Sequence, residues 1–529
     1  MRRLGNKGNS CDPGLGREVD QVHISGSLIA RNTLLNLIGQ ALPLIVGVVT
    51  IPLVVHGLGT ERFGLLSLAW VILGYFTVFD LGLGRAITKY VAEALGKGEN
   101  AQVPEIIWTA VTFQAALGII GAIVLFGITD LLVERVLNIP PELLVEAKDT
   151  FHLLALSIPL VLVSSSFSGV LEAAQRFDMV NAVRIPSSIL TFILPLVGLY
   201  LGFGLPGIVV LILLARLGTL IALVWMDFRI VPELREHSVS SACFSRLFAF
   251  GGWVMITSIV GPFLVYFDRF LIGSLLTMAA VAYYTAPYEM VTRLWIVSAS
   301  LSMTLFPAFS AMEGVRDRER LSIFFSRSIK YVFLVSGTIV VLIVVYAEQI
   351  LQLWLGSDFA AESTVTMQVL ATGVLINSIA QTPFALLQGV GRPDIPAKLH
   401  LIELPIYVGM AWILISEFGI AGAAGAWIIR VALDAVLLFI LTFKIYHISP
   451  CLLEEEGMKR AIIGLFMFAG IAYVLKETTY ALPITAQSLL LTGFLGLYTW
   501  IGWKFIMDDS DRKTVYKMAD LRQILERGS

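Results

Sequence analysis

LEAAQRFDMVNAVRI, residues 171–185, returns in altered form as LQGVGRPDIPAKLHL at residues 387–401. Arg176-x-Asp178 falls on Arg392-x-Asp394 at an offset of 216. Further along, GLPGIVVLILLAR (204–216) resembles GIAGAAGAWIIR (419–430), which matches Gly204 with Gly419, Gly207 with Gly422 and Arg216 with Arg430 at offsets of 215 falling to 214. Upstream, GLGTERFGLLSLA (57–69) resembles SLLTMAAVAYYTA (274–286) at an offset of 217. Three alignments sharing nearly one offset mark an internal repeat of the chain.

The medium in which that repeat folds follows from composition. The 529 residues are 57% hydrophobic and 14% charged, with a mean hydropathy of +0.83. A soluble domain of this size needs more polar surface, so most of this exterior faces lipid. A membrane helix needs roughly 20 mostly apolar residues. At that length the chain shows about 14 spans, near 29–55, 62–81, 106–129, 150–173, 184–202, 205–227, 247–274, 279–308, 328–348, 364–389, 396–417, 420–443, 459–476 and 484–506. The expected class is an all-α polytopic membrane protein.

Orientation comes from the loops. Those after even-numbered spans carry Arg85, Lys89, Arg176, Arg229, Arg316, Arg392 and Lys444 among their basic residues, while those after odd-numbered spans carry only Arg62, Arg135, Lys148 and Lys476. The positive-inside rule then puts both termini in the cytoplasm, and Cys11, Cys243 and Cys451 all land on the reducing side. The repeat offset spans six helices, an even number, so both copies cross the membrane in the same sense. Parallel repeats of this kind place a substrate site between two lobes. The organisation expected is a cytoplasmic tail at 1–27, an N-lobe at 28–228, a linker at 229–246, a C-lobe at 247–445, two extra spans within 446–506 and a cytoplasmic tail at 507–529.

Several functions are disfavoured. A net charge of −2 offers no case for nucleic acid. Arg2 and Arg3 are followed by no apolar run until about Leu28, so no cleaved signal peptide is expected. The three cysteines form no CxxC, and neither metal nor organic cofactor is expected. GKG at 96–98 is not a phosphate-binding loop, and HExxH and GxSxG are absent. The chain reads as a transporter rather than an enzyme.

FDLGLGRAITKYVAEALGKGE (79–99), GLGTERFGLLSLA (57–69) and the YFDRFLIGSLL and VAYYTAPYEMV segments beginning at residues 266 and 281 resemble the polysaccharide flippases of the MOP superfamily, the group that also contains lipid II flippases and MATE exporters. The resemblance covers roughly residues 28–445. It implies two six-helix lobes forming a V around a central cavity, and alternating access to that cavity from the two sides. It also implies an undecaprenyl-diphosphate-linked oligosaccharide as cargo, membrane lipids as surroundings, and a polysaccharide polymerase and chain-length proteins as partners in the inner membrane. A cation-coupled multidrug exporter, or a membrane polymerase or ligase, remains the alternative.

Ionisable residues inside spans mark the expected site. Arg216 and Arg430 sit about midway along equivalent spans of the two repeats, Asp268-Arg269 lies in the seventh span, and Glu289 and Arg293 lie in the eighth. Arginine forks suit diphosphate, so Arg216, Arg269, Arg293 and Arg430 are the candidate cargo contacts. Asp268, Glu289 and Asp80 are candidates for a coupling proton or sodium ion. Local spacing pairs Arg430 with Asp434, and Asp268 with Arg293 is the expected interhelical bridge. Hydrogen-bonding and stacking groups for the sugars include Asn32, Asn36, Gln40, Tyr75, Tyr266, Tyr283, Tyr284, Tyr288, Trp295, Asn377 and Gln381, with core packing an alternative role for each aromatic. Residues 85–97 repeat charge at i, i+4 steps opposite Ile87, Val91 and Leu95, which reads as an amphipathic helix on the cytoplasmic leaflet with Arg85 and Lys89 toward phosphate headgroups.

Overall fold

The computed structural model describes residues 42–43, 45–76, 83–97, 99–174, 176–298, 309, 318–390, 392, 394–449, 451–455, 457–479, 482–508 and 512. Every regular element among them is helical: α1 (Ile45–Leu58), α2 (Thr60–Phe76), α3 (Leu83–Lys97), α4 (Val103–Leu131), α5 (Leu144–Ala155), α6 (Ser157–Ala173), α7 (Phe177–Tyr200) and α8 (Leu205–Ile230) come first. Then follow α9 (Ser241–Leu275), α10 (Met278–Thr292), α11 (Arg318–Leu355), α12 (Ser357–Gly389), α13 (Asp394–Tyr446), α14 (Met458–Thr479) and α15 (Ile484–Ile501). Each apolar run marked in the sequence overlaps a helix of this series, and among the described residues eight helical stretches are long and apolar enough to cross a membrane by themselves. The protein is an all-α polytopic membrane protein.

Helix α13 covers two of the expected spans. Fifty-three residues would reach about 80 Å as one straight helix, far beyond a bilayer. The chain turns instead at Gly419 (φ 60°), a conformation that suits glycine. A Cβ on Gly422 would lie 1.8 Å from the Leu414 carbonyl oxygen, so the two arms of the turn pack backbone against backbone.

Burial shows how the helices are arranged. One core joins both halves of the chain at one end: Leu65 and Leu66 of α2, Phe151 of α5 and Ile208 of α8 pack in the same cluster as Met278 and Val281 of α10, Leu351 of α11 and Trp427 of α13. Toward the end that carries Arg176 and Arg392 the core divides. Ile87, Ile107, Phe167, Val170 and Leu223 form one cluster there, and Phe325, Leu386, Ile395 and Leu438 form another. Helices that share a core at one end and separate at the other leave a cleft between them. At the shared end α2 and α10 touch through Gly64, where a Cβ would stand 1.9 Å from the Met278 carbonyl oxygen.

The Arg-x-Asp motif takes the same form in both copies. Arg176 Nε and Nη2 donate to the two carboxylate oxygens of Asp178, each at 3.0 Å, at the start of α7. Arg392 donates to Asp394 at 3.0 and 3.5 Å at the start of α13. Each carboxylate holds its guanidinium above its ordinary proton affinity, chiefly through the hydrogen bond, and each acid sits where a helix N-terminus favours negative charge.

Helix α3 departs from expectation. Leu83, Ile87, Val91 and Ala94 are buried against α4 and α6, so the apolar face covers protein and not the lipid surface. Glycine explains the docking. A Cβ on Gly169 of α6 would come 3.1 Å from the Gly84 carbonyl oxygen, and Thr88 Oγ1 donates to the Gly169 carbonyl at 3.3 Å. The two backbones approach closely because neither presents a side chain there.

Candidate functional site

A cavity of about 250 Å³ lies between the halves, where α2, α7, α8, α9 and α10 meet. Arg216, Arg269, Glu289, Tyr266 and Thr191 are among its walls. Arg216 comes from the middle of α8, and its Nε is shut from solvent and makes no hydrogen bond. Among the described residues no acid stands within ion-pair distance of it. Sequence reading found it no partner, and the structure supplies none.

Arg269 is held on every side. Its guanidinium lies 4.0 Å from the Tyr288 ring centre and 5.4 Å from that of Tyr266. Nη1 donates to the Val265 carbonyl at 2.9 Å and stands 3.7 Å from Asp268, and Nη2 stands 3.6 Å from Glu289. Planar stacking plus two acids is an environment that a guanidinium satisfies and an ammonium does not.

The expected Asp268–Arg293 bridge does not form. Asp268 is fully buried and accepts from the Tyr284 hydroxyl at 2.5 Å and from the Arg269 backbone N–H at 2.7 Å. Arg293 pairs with Glu289 at 2.7 Å, one turn away on the same stretch of chain. A phenol from the adjacent helix reaches Asp268 more directly than an arginine more than two turns further along α10 would. Glu289 therefore bridges Arg269 and Arg293, and Tyr284 and Tyr288 serve the ion cluster and the core.

A second cavity, of about 520 Å³, adjoins the first, and Tyr266 lines both. It gathers Trp295, Asn377, Gln381, Arg430, Asp434 and His400. Four of the groups expected to meet sugars thus share one chamber: Tyr266, Trp295, Asn377 and Gln381. Tyr288, Trp295 and Trp427 form an aromatic cluster beside it, with ring centres 5.9–6.5 Å apart. Arg216 lines the cavity between the halves and Arg430 the neighbouring chamber within the second half, so the two do not share a single cavity.

The partner of Arg430 is also corrected. Its Nη1 lies 3.7 Å from Glu403 Oε2, whereas Asp434 faces His400 at 3.9 Å. The i, i+4 rule looks only along one helix; the turn at Gly419 folds Glu403 back beside Arg430. Glu403 escaped the sequence reading, although an acid within an apolar run three residues after His400 is the signal that could have found it.

Asp80, Asn32, Asn36 and Gln40 lie outside the described residues. For Arg85, Lys89 and Tyr75 the backbone is helical and the side chain is outside the description.

Comparison with known proteins agrees with this architecture. Residues 29–313 match the family described as Polysaccharide biosynthesis protein, and residues 254–413 match the family described as MatE. The chain is 29% identical over 412 residues to the "Putative O-antigen transporter" of Shigella flexneri, covering 78% of this chain and 96% of that one. It is 24% identical over 261 residues to the "Probable low-salt glycan biosynthesis flippase Agl15" of Haloferax volcanii, covering 48% and 55%. Among solved structures, an inward-facing conformation of a multidrug resistance MATE family transporter of the MOP superfamily aligns with a TM-score of 0.66 at 17% identity, over 80% of this chain and 98% of that chain. A MOP superfamily transporter from Pyrococcus furiosus aligns at 0.59 and 18%, over 80% and 96%. At these identities the structural likeness concerns the fold.

Proposed function

We propose, for a chain that belongs to the polysaccharide biosynthesis protein family within the MOP superfamily, that it flips a lipid-linked oligosaccharide across the membrane that holds it. The cargo is an undecaprenyl-diphosphate-linked oligosaccharide, taken from the cytoplasmic leaflet of the inner membrane and released to the outer leaflet by ion-coupled alternating access. Both termini stay cytoplasmic, no covalent step is catalysed, and a polysaccharide polymerase and chain-length proteins receive the product.

Arg216 carries the reading. Arg216 is half-buried, its Nε is shut from solvent and no acid among the described residues pairs with it; a guanidinium so placed in an apolar wall is costly unless an anionic ligand supplies the missing charge. Arg269 lies in the same wall, and a diphosphate offers enough oxygens for two arginine forks. The adjoining chamber has the ring faces and amides that an oligosaccharide requires. In the first cavity the acid among the lining residues, Glu289, is already bridged to two arginines, which favours an anionic over a cationic ligand there.

The test is reconstitution. Purified protein is placed in vesicles with a fluorescent undecaprenyl-diphosphate oligosaccharide on one leaflet, and the label reaching the other leaflet is followed with a membrane-impermeant quencher. Wild type should speed translocation and Arg216→Ala should abolish the acceleration. Equal movement in protein-free vesicles, or transport of organic cations in place of the glycolipid, would overturn the proposal.

A further inference from the structure

A further cavity, of about 390 Å³, lies inside the first half between α6, α7 and α8, with Gly84 of α3 at its edge. Its place follows from the repeat. Four α6 residues in its wall, at 161, 164, 165 and 168, fall at the offset of 216 on 377, 380, 381 and 384, which are the α12 residues in the wall of the Arg430 chamber. On the next helix Arg184 falls on His400 at the same offset, and each again lines its own cavity. The two cavities are the same interior space in two repeated units.

Equal places hold unequal chemistry. Where the second half sets Arg430, Asp434 and His400, the first half sets hydroxyls: Ser164, Ser165, Ser168, Ser187, Ser188 and Thr219. Ser164 Oγ donates to the Leu160 carbonyl at 2.6 Å and Thr219 Oγ1 to the Ala215 carbonyl at 2.9 Å, while the Thr219 and Ser187 hydroxyls meet at 3.1 Å. A hydroxyl that gives its hydrogen to the backbone keeps its lone pairs for a ligand. The charged residues of this wall, Glu172 and Arg184, pair with each other at 2.9 Å. The wall therefore offers neither a free acid to a cation nor a free guanidinium to a phosphate. Aliphatic groups of Val161, Leu162, Val183 and Leu223 stand among the hydroxyls. A neutral ligand with O–H donors at its edge and C–H groups on its faces fits such a surface, and that is the chemistry of a pyranose ring.

The chamber also stands beside the first cavity. Helix α7 carries Ser187 and Ser188 in the chamber and Thr191 in the first cavity, and α8 carries Thr219 in the one and Arg216 in the other. Residues three and four apart share a helix face, so along both helices the chamber lies one turn, about 5 Å, from Arg216. We infer that this chamber binds one monosaccharide unit of the cargo, the sugar joined to the diphosphate that Arg216 holds, and thereby helps select which glycolipid is moved. The inference rests on the flippase reading, which supplies the diphosphate; the preference for a neutral sugar rests on the walls of the chamber itself.

The experiment uses purified full-length protein in lipid nanodiscs and measures affinity for undecaprenyl diphosphate, either bare or carrying a single hexose, N-acetylhexosamine or deoxyhexose. At least one sugar-bearing lipid should bind wild type more tightly than the bare lipid does. Ser168→Ala and Ser188→Ala each remove one hydroxyl, and each should reduce that sugar-dependent gain about 2- to 10-fold, the loss of one neutral hydrogen bond. Bare-lipid affinity and melting temperature should stay at wild-type values in both. Arg216→Ala should instead weaken bare and sugar-bearing lipids by the same factor. A wild type that binds bare and sugar-bearing lipids alike overturns the inference, as does a gain that survives both serine substitutions. Serine variants that lose bare-lipid affinity to the same extent also overturn it, because the hydroxyls would then act on the protein and not on the sugar. A wild type that binds no lipid of the panel removes the flippase reading and this inference with it, whereas a sugar-blind protein that still binds and flips glycolipid sinks this inference alone.

Discussion

Arg216 and Arg430 occupy matching places in the two repeats, yet their surroundings predict opposite responses to the same substitution. Arg216 has no ion-pair partner among the described residues, whereas Arg430 faces Glu403 at 3.7 Å. Arg216 is half-buried, and removing a partly desolvated charge that no acid compensates should leave thermal stability unchanged or slightly raised in Arg216→Ala. Its cost falls on the ligand: losing one charge-assisted hydrogen bond is worth about 1.5–3 kcal/mol, or about a 10- to 150-fold rise in Kd for lipid-diphosphate oligosaccharide. Arg216→Lys should recover part of that loss, because a point charge replaces a fork. Arg430→Ala instead strands Glu403 in an apolar interior. Breaking one side of a buried pair typically costs 3–5 kcal/mol, and a separation of 3.7 Å puts this case near about 3. The assay pairs scanning fluorimetry of the purified variants with glycolipid binding by microscale thermophoresis. Wild-type affinity in Arg216→Ala would remove that arginine from cargo recognition and leave the site to Arg269 and Arg293. A drop in stability equal to that of Arg430→Ala would show that Arg216 has a structural partner.

Other consequences follow from single contacts. Gly64→Ala would place a Cβ 1.9 Å from the Met278 carbonyl oxygen, forcing the α2 and α10 backbones apart, and should destabilise the protein by about 3 kcal/mol, the upper end for overpacking, seen as a lower melting temperature; an unchanged value would mean that α2 and α10 do not touch there. Tyr284→Phe deletes the 2.5 Å donor to fully buried Asp268 and should cost about 1–3 kcal/mol, with Tyr284→Phe/Asp268→Asn recovering part of it in thermal melts. For topology, Cys451 is exposed and Cys243 half-buried, so a membrane-impermeant maleimide should label neither in intact cells and Cys451 readily in permeabilised ones. Labelling of intact cells would invert the proposed orientation.

What the sequence revealed and what it hid divide along a physical line. Spans, repeat and fold class are properties of local composition and of recurring glycine and charge, and they can be read without knowing which helices touch. The Arg-x-Asp fork closes over two residues, and it appears in the structure in both copies at nearly the same distances. Partners across the bundle are another matter. Asp268 finds Tyr284 and not Arg293, and Arg430 finds Glu403 and not Asp434, because each choice depends on how two helices are rotated against one another. The α3 face failed for the same reason. Its periodicity announces one apolar side, but only the Gly84–Gly169 approach decides that the side meets α6 and not lipid.

The distribution of charge compensation also says how the site can work. Arg269 has two acids, two rings and a carbonyl; Arg293 shares one of those acids; Arg430 has one acid at a distance; Arg216 has none. An anion entering the cleft gains most from the guanidinium that has least to lose, because the energy of breaking an existing pair is subtracted from the new contact. On the proposed function, Arg216 is the expected first point of capture, and Arg269 would strengthen it without leaving its own acids. Arg430 joins only when something relieves Glu403. On the proposed function, that ordering makes engagement of the second half conditional on a separate event at Glu403, which is the property that alternation between two openings requires: a ligand held by one half alone does not select a state, and a ligand held by both does.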